Sequence, residues 1–363
     1  MSPSDSELPL HGTRVLEIGG GLPAAFATRW LAGYGAEVAR SEGPEGALTG
    51  DEEAFLLPGK RRIAVSPGEL RALALAADLV VEDGAPGALA ALGLDPLELR
   101  RAKPELVVTS LTPFGQNGPH AGWRASSLAA HAAGGILSLT GVMARPPLQN
   151  GLQQAWMLLG LNGFSASLAA YYGALVHGEG DWLDVSAQEC AAGMLEYVGP
   201  RAAYDGTPAP RLGNRVNAIW GIFACADGYA GVCALQRQAP AFLALLGDPE
   251  LLAPRFVDPV QRVQHEAELG ARVERWFADK SKAELLELGA KHKVPIGAVM
   301  TPLDLLGNAS LLERAFFDDT ATPAGPARVP GRPFLGLPWR AGALARPGAD
   351  TDAVRRAWLG SAR

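Results

Sequence analysis

The sequence predicts an α/β protein: a large domain with a doubly wound, mostly parallel sheet, followed by a smaller α+β domain. Three observations support this class. Short apolar runs alternate with helical patterns over the first hundred residues, a glycine triplet follows the first apolar run, and 363 residues are enough for about two domains. Sheets of this kind bind ligands at the carboxyl ends of their strands.

Apolar runs and helical periodicity place the elements of the large domain. The runs predict strands at residues 14–18, 36–41, 62–65, 78–82 and 106–111. Amphipathic patterns between them predict helices at residues 22–34, 69–76 and 96–102. Further along we expect helices at 128–139, 152–176 and 187–198, with a strand at 182–186.

A composition change marks the domain boundary. Residues 204–220 are rich in Gly, Pro and Arg, so we expect a linker there, after a large domain at 1–203 and before a small domain at 221–320. An antiparallel pair across the turn Asp227-Gly228 and three helices predict the α+β class of the small domain. Because Pro and Gly recur in residues 321–363, we expect an extended tail that returns to the large domain.

Composition excludes several functions. The formal net charge is only −6, which argues against nucleic acid and anionic membranes as partners. Three cysteines without CxxC spacing and the lack of an export signal predict a cytoplasmic protein. Residues 157–176 are nearly long enough to span a bilayer, but their polar residues predict a helix buried in a core or subunit interface. Its small residues recur every four positions and suit close packing: Ser165, Ala169 and Gly173.

Two short motifs give only weak indications of function. Gly19, Gly21 and Ala24 match G-x-G-x-x-A after a strand, which leaves an NAD-binding oxidoreductase as an alternative. Any βαβ unit needs a tight first turn, however, so the match has little specificity. Ser165 lies in a GFSAS segment that lacks the final glycine of a nucleophile elbow and falls within a helical pattern.

Basic residues lie near the strand ends. Arg40 ends the second strand, and Lys60, Arg61 and Arg62 precede the third. In a parallel sheet they can converge on a polyanion such as a nucleotide diphosphate, or they can form a solvated charge run. The histidines lack ligand spacing, so no metal site is expected. His131, on an apolar helix, is either a base in a cleft or a buried core histidine.

Several blocks in the same order resemble the class III (CaiB/BaiF-type) CoA-transferases, which include formyl-CoA and carnitine CoA-transferases and the α-methylacyl-CoA racemases. They include RVLEIGGGLPAAFATRW, LLPGKRRIAV, DLVVEDGAPGALAALGLD and WLDVSAQECAAGML, and the likeness extends to VPIGAVMTPLDLLGNASLLERAFF at 294–317. The resemblance implies two chains interlocked as a dimer, with acyl-CoA bound between domains and subunits and a carboxylic acid as the second substrate.

The resemblance also implies which residues contact coenzyme A. Arg40 and the cations at 60–62 match basic residues around the CoA adenosine and phosphates. Asp83, Gly84 and Ala85 match a loop that usually reads Glu-Asn-Phe-Arg-Pro and lies beside the cofactor. The Asn and the Arg of that pattern are replaced here by Asp83 and Ala85.

A larger departure concerns the nucleophile. The family's transferases use an aspartate four residues before a glycine, whose carboxylate forms a mixed anhydride and then an enzyme-CoA thioester. Counting back from Gly160, that position is Trp156, and an indole cannot form these intermediates. The racemase His, Asp and supporting acid fall at Ser126, Trp156 and about Gln236, so that two-base mechanism is not expected either.

Three hypotheses follow. The chain is the subunit that lacks the nucleophile in a heteromeric CoA-transferase, with a paralogue supplying the aspartate. Alternatively, it is an enzyme by itself, as a homodimer, with its chemistry moved to His131, Glu189 or Asp184, although we expect Asp184 to help cap the following helix with Ser186. Third, it binds acyl-CoA without catalysis, and Trp156 fills the pocket.

Overall fold

The structure of the chain is a computed structural model that describes residues 4–42, 48–322 and 325–360. The described residues form two compact units. The larger unit contains those within 1–137, 149–208 and 309–363, and the smaller unit contains 138–148 and 209–308. Residues 138–148 belong to the smaller unit because Val142 pairs with Leu212 in an isolated antiparallel bridge. Residues 309–320, expected in the small domain, fall in the larger unit.

The strands begin and end as follows in the described chain: β1 (Arg14–Ile18), β2 (Glu37–Ser41), β3 (Arg61–Ile63), β4 (Leu79–Glu82), β5 (Val107–Thr112), β6 (Trp182–Ser186), β7 (Arg215–Asn217), β8 (Trp220–Cys225), β9 (Gly228–Cys233), β10 (Ile296–Ala298), β11 (Phe317–Thr322) and β12 (Gly325–Pro330). The first six form a parallel sheet in the order β3-β2-β1-β4-β5-β6. This is the doubly wound order, and it confirms the predicted fold class. The strand order reverses between β1 and β4, so their carboxyl ends border the crevice where such folds bind ligands.

The helices before the domain boundary are α1 (Leu22–Gly33), α2 (Gly50–Leu56), α3 (Pro67–Ala76), α4 (Ala88–Ala91), α5 (Pro96–Ala102), α6 (Ser127–Ala133), α7 (Gln154–His177), α8 (Ala187–Ala192) and α9 (Val198–Asp205). Those after it are α10 (Ala239–Leu245), α11 (Pro254–Val257), α12 (Pro259–Gln264), α13 (Glu266–Ala278), α14 (Lys282–His292), α15 (Pro302–Leu306), α16 (Ala309–Glu313) and α17 (Thr351–Val354). Local sequence explains their starts: Ser66 and Glu69 form a capping box at α3, and Asp95 caps α5.

Three predicted helix or loop ranges were wrong. The helix expected at 128–139 ends at Ala133, because Gly134 and Gly135 follow and Gly135 has a left-handed φ of +88°. The helix expected at 187–198 ends at Ala192, before Gly193. The stretch expected as a linker at 204–220 contains the end of α9 and the strand β7.

The parallel sheet has a core on each face. Leu79 and Val81 of β4 pack in one core with residues of α1 and α7. Val80, between them, packs in a second core with residues of α3 and α5. Successive side chains of a strand point to opposite faces, so this alternation assigns every β4 residue to one face or the other.

Helix α7 packs closely against α1 and β5. A Cβ at Gly160 would lie 2.6 Å from the carbonyl oxygen of Pro23, and one at Gly163 would lie 2.6 Å from Leu111 Cδ2. The Ser167 and Thr109 hydroxyls are 2.7 Å apart. These are the close-packed positions within the single chain. The stripe expected from sequence at Ser165, Ala169 and Gly173 is not among them, and its packing in a subunit interface stays a prediction. Ser165 and Ala169 are exposed in the single chain, and the Ser165 hydroxyl donates to the Leu161 carbonyl within the helix.

The smaller unit has its own antiparallel sheet, in the order β10-β9-β8-β7, as the predicted hairpin requires. Phe223 of β8 stacks on Phe277 of α13 with ring centroids 4.9 Å apart. In the larger unit, the C-terminal segment packs on the parallel domain. Trp339 lies against Trp30 of α1, with ring centroids 5.8 Å apart, and Trp358 is buried in the core that contains α3.

Candidate functional site

The turn between β1 and α1 is closed by a carboxylate of the chain itself. Asp83 accepts hydrogen bonds from the backbone N–H groups of Gly20, Gly21 and Ala24, at 3.4, 3.2 and 3.1 Å. A Cβ at Gly19 would lie 2.2 Å from Asp83 Oδ1, which requires glycine there. Burial raises the pKa of Asp83, and the backbone hydrogen bonds oppose that rise.

This arrangement explains the G-x-G-x-x-A pattern without a dinucleotide. In dinucleotide-binding folds, the N–H groups at the start of the first helix bind a pyrophosphate. Here Asp83 uses those donors, and its negative charge would repel a phosphate. The departure from Asn to Asp at position 83 therefore has a structural role, which the sequence did not reveal.

Below the turn lies a buried charge cluster centred on Glu17, which is 0% exposed. Its carboxylate pairs with the guanidinium of Arg40 and, at 2.9 Å, with the ammonium of Lys60, and it accepts from the Thr28 hydroxyl at 2.6 Å. Burial opposes ionisation of Glu17, but Arg40 and Lys60 outweigh it and lower its pKa to about 2. Arg40 also donates to the Gly20 carbonyl at 3.0 Å, so the cluster supports the glycine turn.

The four predicted CoA-contacting cations have different surroundings. Arg40 is 1% exposed and Lys60 is 2% exposed, and both are directed at Glu17. Arg62 is equally buried and pairs with Glu42 and Glu53. Arg61 alone of the four has a substantially exposed side chain, at 40%, and lies 3.3 Å from Glu37. In this chain the three buried cations neutralise internal carboxylates.

Sequence reasoning overlooked Glu17. The sequence did predict correctly that Arg40 and Lys60 lie close together, because β2 pairs in parallel with β3. A signal was present, because Glu17 is the only charge inside the apolar run VLEI of β1, where an unpaired carboxylate would be costly to bury.

Trp156 lies in the first turn of α7, which has no acidic residue. Its half-buried ring packs against the core that contains α1 and α7 and against a smaller cluster around Leu22 and Leu56. The start of α7 is tied to α6, because the Ala155 N–H donates to the Ser127 hydroxyl at 3.2 Å. Ser126 caps α6 by accepting from the Ala129 N–H. Positions 126 and 156 therefore lie on two neighbouring helix starts.

The other candidate residues do not form a constellation in the described part of the chain. His131 is buried in α6, and burial lowers its pKa. The Asp184 carboxylate accepts from the Gln116 N–H at 2.8 Å, so it holds the loop after β5, and the cap of α8 is Ser186 without it. Glu189 is exposed on α8. Gln236, in the smaller unit, accepts from Arg262.

Within the described residues, no group of three or more His, Cys, Asp or Glu side chains could hold a metal ion. Likewise, no helix of the described chain is sufficiently long and apolar for a membrane span.

The fold and the site define a doubly wound α/β protein in which the glycine turn and Asp83 lie at the edge of the sheet where such folds bind ligands. Comparison with known proteins gives the family: residues 10–351 match CoA-transferase family III, and the chain belongs to that family.

Individual relatives agree with this assignment. The chain is 29% identical to the succinyl-CoA:(R)-benzylsuccinate CoA-transferase subunit BbsE of Thauera aromatica, over 91% of this chain and 89% of that protein. It is 27% identical to a formyl-CoA:oxalate CoA-transferase of Streptomyces avermitilis, over 90% and 92% of the two chains. A CAIB/BAIF family protein from Brucella suis superimposes with a TM-score of 0.85 at 26% identity, covering 97% of this chain and all of that one.

Proposed function

We propose that this chain is the subunit without the nucleophile in a heteromeric class III CoA-transferase, and that an Asp-bearing paralogue completes the enzyme. The observation that carries the proposal is Trp156 at the start of α7. Between Arg124 and Glu179 the only charged residue is Arg145, so α7 has no carboxylate that could replace the family aspartate.

The packing of Gly160 supports the count that leads to Trp156. A Cβ there would meet the Pro23 carbonyl oxygen, so the glycine is required by the contact between α1 and α7. A glycine fixed by packing is a sound reference point along a helix. Four residues before it, one helical turn away, the chain has an indole, which has no oxygen with which to attack a thioester.

A partner subunit also suits the outer face of α7. Leu161, Tyr172, Leu175 and Val176 are exposed in the single chain, and Tyr172 is 70% exposed. A monomer rarely leaves a contiguous apolar stripe of this kind in water. We propose that a second chain covers it, as in the interlocked dimer that the family resemblance implies. The relative BbsE is named as one subunit of its enzyme, which supports a heteromer.

For coenzyme A, we propose contacts from Arg61 and from the loop at Asp83, Gly84 and Ala85. Arg61 has an exposed guanidinium suited to a phosphate. We propose that Arg40 and Lys60 act indirectly, by holding Glu17 and the glycine turn in place. The acyl group and the acceptor acid, a carboxylic acid by family resemblance, are not specified by these residues. The cytoplasmic location stays a prediction.

Co-expression tests this function. The chain is produced alone and together with a family relative that retains the aspartate, and CoA transfer from succinyl-CoA to a panel of carboxylic acids is measured. We expect turnover from the pair only, and its loss when the partner's aspartate is changed to Asn. Turnover by this chain alone would contradict the proposal and favour relocated catalytic residues. Binding of acyl-CoA without turnover in either preparation would favour a non-catalytic binding protein.

A further inference from the structure

A cavity of about 190 Å³ lies at the carboxyl ends of β4 and β5. Its polar walls come from Glu82, Asp95, Ser110 and Gln116, and Trp182 adds an indole. Glu82 follows Val80 by two residues, so it faces the side of the sheet that packs with α3 and α5. Trp156 packs on the other side. The cavity is therefore separate from the proposed transfer site.

The lining favours a cationic ligand over an anionic one. Two carboxyl groups and two neutral polar groups line it, and none of the lining residues is Lys, Arg or His. A phosphate or carboxylate would find no cation there, so the lining disfavours CoA and its acids as ligands of this cavity. The remaining wall is apolar, with Leu89 and Pro96 among its residues. A ligand with a positive group and a hydrocarbon part matches both the polar and the apolar residues of the lining.

The surroundings of Glu82 are a stronger indication than the lining as a whole that the cavity binds a cation. Glu82 is 3% exposed and accepts from the Gly84 N–H at 2.7 Å and from the Gln116 amide at 3.5 Å, and it is hydrogen-bonded to Ser110, but no ion pair joins it to a cation of the described chain. Burial raises its pKa to about 7, and neighbouring Asp83 and Asp184 add to the rise. Glu17, equally buried, has Arg40 and Lys60 beside it and a pKa of about 2. Compared with Glu17, Glu82 lacks a countercharge.

We propose that this cavity binds a small organic ammonium ion, with its nitrogen at Glu82 and its hydrocarbon part against Trp182 and the apolar wall. A cavity of 150 Å³ accepts benzene, so 190 Å³ accommodates an amine of about eight non-hydrogen atoms. A metal ion suits the cavity less well, because its two carboxyl groups are the only strong metal ligands in its lining.

Calorimetric titration of the full chain with benzylammonium tests the proposal, with benzyl alcohol and benzoate as neutral and anionic probes of similar shape. We expect saturable one-to-one binding of benzylammonium, at least tenfold weaker binding of the alcohol and none of benzoate. Glu82→Gln should weaken benzylammonium about ten- to a hundredfold, the range for a charge-assisted hydrogen bond. Glu105→Gln removes an exposed carboxylate outside the cavity and should leave binding unchanged.

A second variant, Ala90→Phe, adds bulk at the cavity wall without touching the carboxyl groups, and it should also weaken binding while circular dichroism stays native. Equal binding of the amine and the alcohol to the unaltered chain would overturn the proposal, and this comparison needs no variant. So would the absence of benzylammonium binding, or undiminished binding in Glu82→Gln and Ala90→Phe. None of these titrations uses acyl-CoA, so their result is independent of the transferase proposal.

Discussion

In the larger unit, the glycine turn between β1 and α1 depends on the buried carboxylate of Glu17. This carboxylate pairs with both Arg40 and Lys60, and Arg40 in turn donates to the Gly20 carbonyl of the turn that Asp83 closes. Three of the four cations that looked like phosphate ligands in the sequence thus belong to internal ion pairs. Their spacing predicted the convergence correctly, but the lone charge in the apolar run of β1, which signals a buried countercharge, was overlooked.

Glu17→Gln should destabilise the fold strongly. The change removes the carboxylate of buried Lys60 and the nearer carboxylate of Arg40, which keeps only Glu42 at 3.7 Å, and breaking a buried ion pair typically costs about 3–5 kcal/mol. Urea denaturation measures the free energy of unfolding, with Glu37→Gln as the control, because Glu37 pairs with the exposed Arg61 on the same sheet. The control should change stability by no more than about 1 kcal/mol. Similar losses in both variants would contradict the role assigned to Glu17.

Glu82 predicts a pH effect of opposite sign to that of an ordinary ion-paired acid. Because its pKa is raised from 4.5 to about 7 in the folded chain, the folded state binds the proton more tightly. Its contribution to stability is fully present below pH 4.5 and is lost as the pH rises through 7. The unfolding free energy of the unaltered chain relative to Glu82→Gln should fall over this interval, on the order of 1–3 kcal/mol. A difference that rises with pH, or stays flat, would contradict the assignment.

At the scale of elements, α7 shows which features of a helix the sequence pattern predicts and which it does not. Its existence was predicted because apolar residues run almost without charge over 152–176, and the structure confirms a helix at Gln154–His177. Which of its small residues pack within the single chain was not predicted, because apolar character on all sides gives no face a distinguishing pattern. Helix α9 was missed since its first turn contains Gly199 and Pro200 and none of its residues is buried.

The close approach of α7 to α1 predicts opposite effects for two glycines of the same helix. Gly160→Ala places a Cβ 2.6 Å from the Pro23 carbonyl oxygen, so the helices must shift, at a cost of about 1–3 kcal/mol. Gly173→Ala meets no atom within 4 Å and should raise stability by up to about 1 kcal/mol through helix propensity. Thermal unfolding of both variants measures this contrast. Equal changes in stability for the two variants would show that the α1–α7 contact does not require glycine at position 160.

At the scale of the whole molecule, the doubly wound class was predictable because the six strands and most of their crossover helices carry a local signal, although α2 between β2 and β3 was missed. The assignment of distant segments to units was not, since it depends on contacts such as the Val142 and Leu212 bridge between segments seventy residues apart. Composition also gave no indication that the outer stripe of α7 is exposed in a single chain. The proposed partner subunit accounts for both its apolar character and its exposure.

Tyr172→Arg and Leu175→Arg place charges on this stripe and should prevent assembly while each chain remains folded, because a charge without a partner is costly to bury in an interface. Sedimentation velocity of the chain with its proposed partner should show assembly for the unaltered protein and for a control, Glu105→Arg. Unimpaired assembly of both stripe variants would exclude this face as the interface.

Intact-protein mass spectrometry tests the central claim most directly. The purified chain is incubated alone with succinyl-CoA and hydroxylamine, which attacks an enzyme-CoA thioester, releases the CoA thiol and leaves a hydroxamate on the carboxyl side chain. Trp156→Asp serves as the arm in which a carboxylate is restored at the family position. We predict an unmodified mass for the unaltered chain. A hydroxamate on any Asp or Glu of the unaltered chain would contradict the account, because it would show that this subunit has its own nucleophile.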